Sequence, residues 1–513
     1  MKLYKKFFSR WTGVAMLATM GLFACQPEIE VVTPTSGTAD FTTYIALGNS
    51  LTSGYADGGL YREGQLASFP EMIAKSIQET GGAQGFKTPL MPEGNGSGYL
   101  KLVGGAPSLV AADPSAFASV ASEGPFQNMG VPGARSFHLP FAGYGQANPY
   151  FGRFATSAGA SVLADAAAQN PTFFTLWIGN NDVLGYATAG GDQGGTDNEI
   201  TPLATFEASI NAIVAGMDAA GAKGGVIANI PDILAIPFFT TATYDAFVID
   251  AAQATALNAG LSATVSATAR PQIQAQVEAN RAAIETGVTA VVKENVKQQA
   301  LDAGATEEQA EAQANAFIAS PTGQATIEAG VEAQIVTLVE ENLNTLLATL
   351  PSVSEGANPF VIQGAPSATN PTGLRSATPD DLILLTVLSY TATPEFAALP
   401  VIPESLVLDV NEQAKVNNAI AEYNTVLQAA AGSKYAYADM GTFFNEVKTG
   451  FFYQGVGYSP TFVTGGAFSL DGVHLTQRGY ALAGNEFIKA ANAKYNSNLS
   501  WINVSDYRGV LFP

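Results

Sequence analysis

The sequence predicts an α/β protein built on a parallel sheet with helices on both faces, and three observations predict it. Short apolar runs read as buried strands: Tyr44 to Leu47 ending at Gly48, Phe173 to Ile178, and Gly225 to Ile230. Between them, apolar residues recur at helical spacing, as in Phe206, Ile210, Ile213, Val214 and Met217. The 513 residues are 47% hydrophobic and 13% charged, which suits a large buried core and argues against disorder.

Taken in order, Ser68 with Pro70 marks a helix start, and Met72, Ile73 and Ile77 continue it. A Gly/Pro-rich loop is expected over 81–133, a helix over 157–168 and a strand over 173–178. From about Thr240 to Pro351 alanine, glutamine and glutamate dominate. Apolar residues there follow helical intervals: Ile284, Val288, Val291, Val292 and Val296, then Ile335, Leu338, Val339, Leu343 and Leu346. Thr306 with Gln309 forms a capping-box pattern. A loop is expected over 352–378, then a strand over 382–388, a helix over 411–431, a strand over 435–438 and a last helix over 477–491. The resulting division is 1–24 leader, 25–40 tether, 41–240 first part of the α/β domain, 241–378 helical insertion with its loop, and 379–513 second part.

The N-terminus reads as an export signal. Lys2, Lys5, Lys6 and Arg10 precede an uncharged stretch from Trp11 to Ala24, too short to span a bilayer comfortably. Cys25, the single cysteine, follows it directly in Leu22-Phe23-Ala24-Cys25. This resembles a lipobox, in which the leader is cut before a cysteine that becomes lipidated; a free or buried cysteine is the alternative. Gln26 is not the aspartate that retains well-studied Gram-negative lipoproteins at the inner membrane. The expected location is therefore the cell envelope, at the outer membrane through a lipid on Cys25. Loss of the leader removes four cations and no acid, moving the net charge from −21 to −25. Such acidity excludes nucleic acid as an expected partner.

Four segments carry chemistry. Gly48-Asn49-Ser50 lies where a strand meets a helix, at the sheet edge where open α/β folds place their sites; taken alone, Ser50 reads equally as a helix cap. Asn128 to Ala134 contains Gly133, whose N–H suits an oxyanion donor or a plain turn. Gly179-Asn180-Asn181-Asp182 follows an apolar strand, and Asn181 offers an amide donor or a turn residue. Asp471-Gly472-Val473-His474 places a carboxylate three residues before one of only two histidines, close enough to bend back and orient the imidazole. His138, the other histidine, reads as a surface or supporting residue.

Together and in this order, the four segments resemble the blocks of the SGNH (GDSL-type) hydrolase superfamily, over about 41–240 and 380–494. Asn229-Ile230-Pro231-Asp232 also resembles a strand-end motif of its lipase-like members. The resemblance implies a flavodoxin-like three-layer α/β/α sandwich and a serine esterase or lipase acting on carboxylic esters. Ser50, Asp471 and His474 become the catalytic triad, and Ser50, Gly133 and Asn181 the oxyanion hole. No cofactor or metal is implied, and the usual Cys/His ligand spacings are missing from the sequence. Asn49 stands where the family carries aspartate. Phe451, Phe452, Tyr453, Tyr458 and Phe462 precede the histidine segment as acyl-pocket or core aromatics. The expected substrate is a lipid or short-chain acyl ester. The alternatives are an acetylated carbohydrate and a surface lipoprotein that binds without catalysis.

Overall fold

Five short segments form one sheet: β1 (Tyr44–Gly48), β2 (Asn128–Gly130), β3 (Phe173–Trp177), β4 (Gly224–Ala228) and β5 (Ala436–Ala438). Every pairing is parallel, and the order is β2-β1-β3-β4-β5. The computed structural model describes residues 33–191, 194–195 and 198–512, so Cys25 and the expected leader lie outside the described residues. β1, β3 and β4 are buried along their whole length, which is why they read as unbroken apolar or small-residue runs rather than alternating ones. Gly48 is needed for close approach: a Cβ there would lie 2.4 Å from the Trp177 carbonyl oxygen.

The helices that frame this sheet begin with α1 (Ser50–Ser53), α2 (Phe69–Gln78), α3 (Val162–Ala167), α4 (Asn181–Thr188) and α5 (Leu203–Ala219). The next four, α6 (Ala251–Glu278), α7 (Arg281–Asp302), α8 (Glu307–Ala319) and α9 (Pro321–Leu347), lie in the chain between β4 and β5. They are followed by α10 (Val410–Ala431), α11 (Met440–Thr449) and α12 (Gln477–Tyr495). α2 packs on α12, α5 packs on α3 and α10, and both α10 and α12 contact β4 and β5. The result is a mixed α/β architecture around a central five-stranded parallel sheet, compatible with three layers.

Several elements differ from expectation, each for a tertiary reason. The expected loop over 81–133 contains a hairpin, Tyr99–Val103 with Ala106–Val110, and also β2. β2 is only Asn-Met-Gly, with no β-branched residue, and is a strand because Ala46 to Gly48 offer it a free edge. The expected strand over 382–388 pairs only at Leu382–Ile383, after which Val387–Tyr390 turns helical. The loop over 352–378 holds three short strands, Gly356–Asn358, Val361–Gln363 and Leu374–Ser376. α3 starts at Val162 because the Ser161 hydroxyl accepts the Ala164 N–H at 3.0 Å.

α6 to α9 bury a narrower stripe than their apolar spacing suggests. Ile327, Val331, Ile335 and Val339 on α9 meet Val277 of α6 in a cluster of their own, whereas Val291 stays 60% exposed. Arg281 draws Glu278, Glu328 and Glu332 together at the α7–α9 contact, in solvent-exposed pairs that add little to stability. Among the described residues no helix is long and apolar enough to cross a membrane.

The ring of Phe487 on α12 stacks on Phe69 of α2 at 4.6 Å and 5°, with Trp177 of β3 edge-on to both. Phe487→Ala should therefore lower unfolding free energy by about 3–5 kcal/mol in urea denaturation.

Candidate active site

Ser50 is delivered by a tight strand-to-helix turn. β1 ends at Gly48, and Asn49 caps α1 by accepting the Leu51 N–H on Oδ1 at 3.0 Å. α1 lasts a single turn because Gly54 adopts a left-handed conformation, φ +82°, where a Cβ would strike the Gly64 carbonyl oxygen at 2.6 Å. Ser50 thus stands at the carboxyl end of β1, the strand between β2 and β3, and is 7% exposed. The amide Nδ2 of Asn49 is buried without a hydrogen bond, so only half of this side chain's capacity is used.

His474 and Asp471 come from the loop before α12. His474 Nε2 lies 2.8 Å from Ser50 Oγ, and His474 Nδ1 lies 2.9 Å from Asp471 Oδ2. Asp471 Oδ1 accepts the N–H groups of Val473 (2.9 Å) and His474 (2.8 Å), and Oδ2 accepts that of Gly58 (2.8 Å). Burial alone would raise this carboxyl, but the adjacent His474 and these donors prevail and hold it well below the usual carboxylate range. An ionised carboxylate only accepts, so Nδ1 carries the proton and Nε2 is left to accept from the serine hydroxyl.

A second carboxylate locks this loop to the segment after α1. Asp57 Oδ1 accepts the Leu470 N–H at 3.0 Å, and Oδ2 accepts the Tyr61 hydroxyl at 2.8 Å. Its own N–H donates to Ser469 Oγ. The Tyr55 ring lies 4.6 Å from the His474 ring, and the Tyr55 carbonyl accepts the Tyr480 hydroxyl at 2.6 Å. Asp57, Tyr55 and Tyr480 carry no sequence signal as site residues; only the fold brings them against positions 469–474.

The third component lies beyond β2 and β3. Gly133, exposed and at φ +78°, follows β2, and the preceding Pro132 carbonyl accepts from Asn148 Nδ2 at 2.9 Å. Asn181 opens α4 and donates one Nδ2–H to the Ala134 carbonyl at 2.9 Å, leaving its second N–H. Asp182, fully buried beside it, accepts the Ser136 N–H at 2.9 Å and the Ser136 hydroxyl at 2.7 Å. Burial pushes its carboxyl up to about 6, against the lowering effect of the Ser136 bonds. Asn181 and Asp182 thereby fix the loop that carries Gly133. Asp182 was visible in the Gly-Asn-Asn-Asp run, but its supporting role was not.

Ser50, His474, Asn49, Asn180 and Asn181 share one cleft with the apolar side chains Leu184, Ile233, Ile236, Phe444 and Val473. Its free volume, about 30 Å³, has room for roughly two waters. Phe444 supplies the aromatic lining, and the five aromatics read as acyl-pocket or core residues do not line the cleft. Phe451 and Tyr453 belong to a hairpin with Val456–Tyr458, Phe452 is 83% exposed, Tyr458 is buried in the core, and Phe462 is half-buried away from the cleft. His138 is likewise apart from it: its Nδ1 accepts the Arg135 N–H, and its ring stacks on Tyr144 at 4.5 Å. Among the described residues no group of three or more His, Cys, Asp or Glu side chains is placed to hold a metal.

Asp182 titrates near 6 in the folded chain against ~3.9 when unfolded. The folded state therefore binds the extra proton between those values, and the contribution of Asp182 to stability falls as pH rises through them. Asp182→Asn should remove this slope: relative to the variant, the natural protein should lose roughly 2–3 kcal/mol from about pH 4 to about pH 6 in urea titrations.

No protein-family model, curated protein or solved structure matches the chain, so what the site does has to be read from its geometry.

Proposed function

We propose that this protein is a serine hydrolase of the SGNH (GDSL-type) class that cleaves carboxylic esters. One observation carries the reading: an unbroken chain of hydrogen bonds from Asp471 through His474 to Ser50, at the carboxyl edge of a parallel sheet. The strand order β2-β1-β3-β4-β5 supports a flavodoxin-like sandwich as its frame, with residues 241–378 as an insertion between β4 and β5. Export and anchoring at the outer membrane through Cys25 belong to the same proposal and rest on the leader sequence.

The reaction is acyl transfer in two halves. Ser50 Oγ attacks the ester carbonyl while His474 Nε2 takes the hydroxyl proton, and Asp471 stabilises the imidazolium that forms. The carbonyl oxygen gains negative charge, met by the N–H groups of Ser50 and Gly133 and by the free amide hydrogen of Asn181. Collapse breaks the ester C–O bond, and His474 protonates the departing alcohol. Water, deprotonated by His474, then releases the acid and restores Ser50.

Hydrolysis of p-nitrophenyl esters of increasing acyl length tests this reading on the mature chain. Ser50→Ala should abolish turnover and labelling by a fluorophosphonate. Asp471→Asn should lower kcat by about 10⁴-fold, and Asn181→Ala by about 10²–10³-fold. A folded protein that neither turns over any ester nor takes the label would favour binding without catalysis.

A further inference from the structure

We infer that the protein rests on the bilayer that anchors it through the amino edge of its parallel sheet, with Trp501 among the headgroups and the Ser50 cleft facing the aqueous side. The inference rests on lipidation of Cys25, and its consequence for the substrate rests on the ester-hydrolase reading.

The start of the described chain fixes where the anchor pulls. Thr35 pairs with Asn498, whose N–H donates to the Thr35 carbonyl at 2.9 Å. Thr38 donates both its N–H and its hydroxyl to the Tyr495 carbonyl, at 2.8 and 3.0 Å. These contacts gather at the C-terminal end of α12. That end lies at the amino edge of the sheet, because the Tyr495 hydroxyl bonds both the N–H and the carbonyl of Gly225 at the start of β4. Ser50 follows the opposite, carboxyl end of β1, and His474 precedes the other end of α12.

Helix length sets the separation. The 19 residues of α12 hold its two ends about 28 Å apart. Cys25 stands ten residues before Thr35, at most about 35 Å of fully extended chain. The Ser50 edge can reach the anchoring bilayer only if the domain inverts and nearly all of that chain is drawn along its flank. The amino edge meets the bilayer with no such demand.

The surface beside the attachment suits a headgroup layer. Trp501, 56% exposed, lies three residues past Asn498. Its neighbours are pinned: the Ser500 hydroxyl donates to Glu79 just past α2, and the Ile502 N–H donates to Asn485 Oδ1 at 2.8 Å. An indole combines an apolar body with one N–H donor, which is why tryptophan concentrates where acyl chains meet water. Charge permits the same contact. Anionic headgroups repel a mature chain of net charge −25. At this edge, however, Lys223 pairs with Asp40 at 3.0 Å and Lys434 with Asp218 at 2.6 Å, while Lys494 sets a third cation against Glu79. Docked this way, the cleft stands roughly a helix length, about 28 Å, above the headgroups. An ester buried in the anchoring leaflet is out of its reach, so the substrate arrives dissolved or on another molecule.

Tryptophan emission reads the docking directly. Trp11 lies in the leader, so the mature chain keeps Trp177, fully buried, and Trp501. The lipidated mature protein is placed in phosphatidylethanolamine–phosphatidylglycerol vesicles with and without a nitroxide on the headgroup. The nitroxide should quench the Trp501 emission about twofold or more, and Trp501→Phe should leave only Trp177 emission that the nitroxide does not change. Emission that the nitroxide leaves unchanged in the natural protein overturns the docking, as does a mature Cys25 without lipid by mass spectrometry. The same vesicles are then offered 4-nitrophenyl acetate in solution and a phospholipid ester within the leaflet. The anchored protein should cleave the first and spare the second, whereas cleavage of the embedded ester that Ser50→Ala abolishes overturns the outward-facing cleft. Quenching without turnover of either ester keeps the docking and discards the hydrolase; turnover of the soluble ester without quenching does the reverse.

Discussion

The site depends above all on how the Asp471 carboxylate is solvated by protein. Taken from water without partners, a buried carboxylate protonates and can no longer orient an imidazole. Here the N–H groups of Gly58, Val473 and His474, the Ser469 hydroxyl and the His474 ring all turn toward it. The bond from Gly58 spans 413 residues of chain, so Asp471 also sews the segment after Ser50 to the loop before α12. Gly472, at φ +72°, lets the loop fold tightly enough for one carboxylate to reach its own following N–H groups.

Around this centre, support comes in matched pairs. Asp57 repeats on a smaller scale what Asp471 does, bonding Leu470 and Tyr61 from a backbone at φ +55°. Asn181 and Asp182 hold Ala134 and Ser136, the residues that follow Gly133. The polar groups of the site thus stand on loops, and the loops stand on carboxylates and amides anchored near strand ends. Such placement keeps donors aimed without reorganisation, which is what electrostatic stabilisation of a developing oxyanion requires.

The apolar residues of the described chain divide into three clusters, and the cleft belongs to the largest. Ile233, Ile236 and Phe444 join the sheet core, while α9 packs its Ile327 to Val339 stripe elsewhere. A middle cluster, with Leu257, Leu261, Ile362 and Val407, links the long helices to the short strands that follow them. The cleft and the helical segment therefore answer to different packing constraints, and long helices can be accommodated between β4 and β5 without disturbing the register of the sheet.

By itself the sequence determined what is local. Apolar runs marked β1, β3 and β4 because strands buried on both faces need no alternation; the helical spacing marked α5, α10 and α12; and Thr306 with Gln309 capped α8 as its pattern demanded. Ser50, Gly133, Asn181, Asp471 and His474 each had a plain cap, turn or structural reading alone and stood out only through the joint order of their segments. Only the tertiary structure decided what depends on distant partners. β2 is a strand because β1 has an unpaired edge, and the lining aromatic is Phe444 rather than the hairpin residues after it, because Phe451, Tyr453 and Tyr458 pack against the main core without reaching the cleft. Tyr55 and Asp57 lie in the segment after α1 and meet positions 469–480 from more than 400 residues away, and no spacing along a chain encodes a contact that forms only when two such distant segments close together.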